Sequence, residues 1–105
     1  MSTTLARLRW AACLATALWS GSGMAQDAAL QTRAWAAACA ACHGTGGAAH
    51  TGIPAIAGQD QAVLQQKLLA YKAGTLPATV MHQHAKGYTD EQLARLAEHF
   101  SRQPK

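Results

Sequence analysis

Large side chains are scarce in this 105-residue chain. It holds one phenylalanine, two tyrosines and three tryptophans, and beyond residue 25 large apolar residues are few and alanines many. A small domain of this composition can bury only a modest core of its own side chains and needs a staple. Charge of either sign is also thin, at 9 Lys and Arg against 5 Asp and Glu. With no basic run and no interleaved aromatics, nucleic acid is excluded as a partner. No stretch approaches the about 20 apolar residues that a membrane-spanning helix requires. The alternation that marks strands is missing, and so are internal repeats, which leaves an all-α chain.

The first 25 residues have the layout of an export signal. Arg7 and Arg9 supply a positive start, and Trp10 to Trp19 is an apolar run with only Thr16 polar. The small residues Gly21-Ser22-Gly23-Met24-Ala25 follow, so cleavage is expected after Ala25, dividing the chain into a signal peptide at 1–25 and one domain at 26–105. Cys13 comes too early for a lipoprotein site and leaves with the signal peptide. Loss of Arg7 and Arg9 takes the basic residues from nine to seven and the formal charge from +4 to +2. The destination expected is the periplasm, with no membrane span in the mature protein.

Within 26–105 the chemistry gathers at Cys39-Ala40-Ala41-Cys42-His43. Two thiols three residues apart, followed directly by a histidine, read as an attachment site for one covalently bound haem c. On a helix, positions i and i+3 share a side, so both sulfurs can reach the two vinyl groups of one porphyrin. The next residue then brings its imidazole to the iron. A zinc site would need a second ligand pair, and no other cysteine remains after residue 25. A redox dithiol would need a βαβ setting that is not there. A haem bound in this way also supplies the missing core.

Around the pentapeptide the spacing predicts a helix over 28–42 capped by Asp27, with Trp35, Ala38, Cys39 and Cys42 on one stripe. A glycine-rich loop over 44–58 follows. In it Ile53 and Ile56 are expected to touch the haem, His50 to be solvated, and the Pro54 carbonyl to accept the second N–H of His43. That Pro54 merely stiffens the loop is the equal alternative. A second helix is expected over 60–73, with Leu64, Leu68 and Tyr71 on its stripe, Lys67 and Lys72 on a solvated face, and Gly74 as its end. Residues 75–80 should be extended or turning. A third helix opens at Thr89-Asp90-Glu91-Gln92, a capping box, and carries the stripe Leu93, Leu96, Ala97 and Phe100, with His99 off it and exposed.

Met81 is the only methionine beyond residue 25 and lies 38 residues after His43, in a stretch expected to be irregular. It is the favoured sixth ligand of the iron, because thioether ligation suits electron transfer. His82 and His84 are its rivals. An apolar cleft lined by Trp35, Ile53, Ile56, Leu64 or Leu68, and Met81 is expected to hold the haem.

Taken together, the Cys39–His43 pentapeptide after a helix, the proline loop and Met81 before a C-terminal helix resemble class I c-type cytochromes, over almost all of 27–102. The resemblance implies a small fold of three to four helices around one haem, electron transfer by a His/Met-ligated iron, and close crossing of the terminal helices. That crossing would pair Trp35 and its alanines with Leu93, Ala97 and Phe100. More narrowly, Thr79-Val80-Met81 and Ala85-Lys86-Gly87-Tyr88-Thr89-Asp90-Glu91-Gln92 are similar to the cytochrome subunit of flavocytochrome c sulfide dehydrogenases. This likeness implies an electron carrier rather than an enzyme, working with redox proteins such as a flavoprotein that oxidises sulfide. Lys67, Lys72 and Lys86 would border the docking side, although a charge of +2 makes solubilising lysines the plainer reading. The alternative is a haem enzyme or gas-sensing cytochrome with a labile sixth ligand.

Overall fold

The computed structural model describes residues 20–49 and 52–105. Most of the signal peptide expected at 1–25, its residues 1–19, and His50 therefore lie outside the described residues. Two units are distinguished, Met1–Gln31 and Thr32–Lys105. Four helices are described: α1 Ser20–His43, α2 Gln61–Ala73, α3 Met81–Lys86 and α4 Asp90–Ser101, with a 3-10 turn at Thr45–Gly47 between the first two. No strand occurs among the described residues, and no described helix is long and apolar enough to cross a membrane.

α1 begins upstream of the expected Asp27 cap, so Asp27 and the expected cleavage point after Ala25 both lie inside it. No proline interrupts 20–43, and the alanines favour helix throughout. In the first unit the described side chains of Met24 and Leu30 are exposed.

The second unit holds the core. Leu93, Leu96, Ala97 and Phe100 are all buried, the stripe expected for α4. They form one cluster with Ala36 of α1 and Leu64 of α2, and Trp35, Cys39, Ile56, Leu68, Leu69 and Tyr88 pack against it. The inward line of α1 is Thr32, Ala36 and His43, all buried, with half-buried Cys39 between the last two, rather than the line through Ala38, which is exposed. α2 packs against both α3 and α4. Its ends follow local chemistry. The Asp60 side chain accepts from Val63 N at 3.0 Å, and Gly74 closes the helix in the left-handed region at φ 77°. The capping box of α4 is complete: Gln92 N donates to Thr89 Oγ1 at 3.2 Å, and Thr89 N donates to Gln92 Oε1 at 2.9 Å.

Two further expectations are corrected. Met81 does not lie in an irregular stretch but opens the short helix α3. His99 is half-buried, not exposed, with its ring edge-on to Phe100 at 5.2 Å. It lies one residue from the α4 stripe, and packing around Phe100 draws part of its ring out of solvent.

Gly47 joins the loop to α4. Its φ is 81°, and a Cβ placed on it would stand 2.6 Å from Ile56 Cγ1 and 2.9 Å from Phe100 Cδ1. Its carbonyl accepts from Ile56 N at 2.8 Å and Ala57 N at 3.0 Å. A side chain is therefore opposed by both backbone conformation and space. Gly47→Ala is expected to destabilise the protein by more than about 1 kcal/mol, measured by urea unfolding; an unchanged midpoint would refute the close approach.

Burial first, and the Arg33 guanidinium second, lower the His99 imidazole below its ordinary 6.5. The folded protein thus keeps His99 neutral where the unfolded chain would already protonate it. Its contribution to stability is complete above 6.5 and declines as pH falls from there toward the lowered folded value. Unfolding midpoints measured from about pH 7 down to about pH 5 should drop less steeply in His99→Gln than in the wild type. Parallel declines would remove His99 as a cause.

Candidate haem attachment site

The last turn of α1 carries the reactive groups. Cys39 and Cys42 are both free thiols, the first half-buried and the second exposed. The Cys39 thiol donates to the Trp35 carbonyl oxygen at 3.7 Å, one turn back. Burial pushes the Cys39 thiol above its ordinary 9.0, and a backbone hydrogen bond opposes the rise. Because the two cysteines stand three apart on a continuous helix, both sulfurs leave from the same side of its end.

His43, the last residue of α1, is only 9% exposed. Its Nδ1 lies 2.8 Å from the Pro54 carbonyl oxygen. The carbonyl can only accept, so Nδ1 carries the proton and donates, which in the neutral ring leaves the lone pair on Nε2. The loop brings Pro54 back by its own backbone bonds. Gly44 N donates to Ala40 O at 2.9 Å, Ala49 N to His43 O at 2.6 Å, and Gly58 N to Phe100 O at 2.9 Å. With the Gly47 clamp on Ile56 and Ala57, these hold both ends of the segment containing Pro54.

The other residues singled out from sequence are distributed unevenly. Ile56 is half-buried against the core, while Ile53 is 38% exposed. Leu64, expected on a cleft wall, is buried in the core cluster, and Leu68 packs at its edge. Met81 and His82 are half-buried at the start of α3, whereas His84 is exposed. Val80 precedes Met81 as the N-cap and supplies no side-chain cap.

Tyr88 is a member of this neighbourhood that the sequence reading did not single out. Its ring meets Trp35 edge-on, with centroids 6.4 Å apart and planes at 72°. Burial first, and Cys39 second, raise its hydroxyl above the ordinary 10.0. A sequence signal was available. Tyr88 immediately precedes the Thr89 cap and Leu93 is the fourth residue of α4, the two positions of a hydrophobic staple. Tyr88 packs against the cluster that contains Leu93.

The donor set suits a c-type haem. Two free thiols stand at i and i+3, and the adjoining imidazole has one nitrogen engaged and the other free to bind a metal. Among the described residues, no group of three or more His, Cys, Asp or Glu could hold a bare metal ion.

Comparison with known proteins agrees with this chemistry. The family model for cytochrome c oxidase, cbb3-type, subunit III matches residues 26–100. Over 62 residues the chain is 44% identical to the cytochrome subunit of sulfide dehydrogenase from Chlorobaculum tepidum, a match covering 59% of this chain and 56% of that protein. The chain thus spans little more than half of that relative's length. With the match running from before α1's cysteines to the last buried residue of α4, the chain belongs to the family described as cytochrome c oxidase, cbb3-type, subunit III, and is a class I c-type cytochrome.

Proposed function

We propose that this protein is an exported, single-haem electron carrier that accepts electrons from a sulfide-oxidising flavoprotein. In this reading, residues 1–25 are removed on export to the periplasm. Cys39 and Cys42 would hold the haem through thioethers, and His43 Nε2 and Met81 Sδ would be the ligands to its iron. When bound, the haem supplies a one-electron iron couple. The chain's own residues hold and tune it.

The observation that carries the proposal is the His43–Pro54 hydrogen bond at 2.8 Å. It fixes the tautomer and orientation of the imidazole and increases the basicity of Nε2, the usual arrangement behind a metal-binding histidine. The flavoprotein partner rests on the 44% identity to a sulfide dehydrogenase cytochrome subunit. Exposed charge on the docking side is Lys67 and Lys86, because Lys72 is paired with Asp90 at 2.6 Å.

Two outcomes follow. Haem should stay with the wild-type protein through denaturation and acid–organic extraction. Cys42→Ala, left with one thioether, should lower the holoprotein yield severalfold; complete extraction from the wild type would sink the covalent assignment. Lys86→Glu should slow reduction by the flavoprotein roughly two- to tenfold at low ionic strength, with the difference shrinking as salt screens it. The haem spectrum should not change. Equal rates across the salt series would remove Lys86 from the docking surface.

A further inference from the structure

Three ion pairs are formed among the described residues. Two of them, Glu91–Arg95 and Glu98–Arg102, join neighbours four apart on α4. The third is different in kind. Lys72 Nζ donates to Asp90 Oδ1 at 2.6 Å, across 18 positions of sequence. It ties the last turn of α2 to the first residue of α4. The segment it encloses is 73–89, and α3 with Met81 lies inside that segment.

The ends of this segment are held by hydrogen bonds, while its middle is seated by packing, with Ala85 buried. At the front, the Ala70 carbonyl receives Thr75 N at 3.0 Å, Leu76 N at 3.3 Å and Thr75 Oγ1 at 3.2 Å. At the back stands the Thr89–Gln92 capping box. Between them, α3 has six residues, and its N-cap Val80 offers no side-chain acceptor. So short a helix has little stability of its own. Its place depends on packing against α2 and on how firmly the two ends of the segment are kept together.

We infer that Lys72 and Asp90 are a positioning pair that clasps the 73–89 segment and so keeps Met81 at its ligating position. The inference rests on the assignment of Met81 as an axial ligand. Neither residue touches the haem. The pair acts by opposing a local opening in which α3 would lift from α2 and carry Met81 away from its place. Because Asp90 is well exposed, with 75% of its side chain accessible, the effect is modest. An exposed pair of this kind changes such an equilibrium by about two- to fivefold.

The test uses the ferric holoprotein and imidazole, which can take the sixth position only when Met81 has left it. In Lys72→Gln and in Asp90→Asn, the apparent affinity for imidazole should rise about two- to fivefold over the wild type. In the double variant it should rise no further than in either single one, as coupling within one pair requires. Added salt should bring the wild type toward the variants. Glu91→Gln, which breaks the local pair with Arg95, should leave the affinity unchanged. Unchanged affinity in both single variants overturns the inference. So does full additivity, because Asp90 would then act only through the positive end of α4. The wild-type ferric spectrum checks the underlying assignment separately. Lack of a sulfur-to-iron charge-transfer band refutes Met81 as the ligand and the inference with it, whereas a band with unaltered imidazole binding refutes the clasp alone.

Discussion

His43 ends α1 with its ring in one orientation because Nδ1 is engaged by the Pro54 carbonyl at 2.8 Å, and much of the chain serves to bring that carbonyl there. A free imidazole at a helix terminus would sample several rotamers and either tautomer. One backbone acceptor removes both freedoms. The acceptor itself must be fixed, and its loop is fixed by Gly47, whose carbonyl receives Ile56 and Ala57 and whose missing side chain leaves room for Ile56 and Phe100. Phe100 is buried on α4. The orientation of one nitrogen is thus linked, through a glycine, to the packing of the C-terminal helix.

The same helix closes the other half of the domain. α2 packs on α3 and α4, so the segment carrying Met81 is seated on the element that also meets the buried stripe Leu93, Leu96, Ala97 and Phe100. The two residues proposed to face the iron come from opposite ends of this arrangement. His43 is positioned by a loop tied to α4. Met81 is positioned by a short helix whose neighbours are tied to each other by Lys72 and Asp90. A core made largely of leucine and alanine, with one phenylalanine, leaves little surplus stability. A covalently held cofactor suits a domain of this size.

The family and the site geometry agree on a c-type haem for complementary reasons. The donor set, two thiols and an anchored imidazole on one helix end, has the chemistry that a c-type haem requires, and the family match spans it.

What the sequence determined by itself was whatever is decided within a turn or two of backbone. The pentapeptide at 39–43, the Gly74 terminus, the Thr89–Gln92 box and the apolar stripe of α4 are all of this kind, because each depends on residues at most a few positions apart. The alanine-rich helix was less legible. With alanine on nearly every side, no periodicity separates Ala36, which is buried, from Ala38, which is exposed, and nothing marked Asp27 as interior rather than first. Only tertiary structure could decide that, and only it could bring Tyr88 to Trp35, Lys72 to Asp90, and Arg33 close enough to lower the His99 imidazole. Such pairs are separated by many residues, and whether they meet depends on how whole helices seat on one another, which no local pattern encodes.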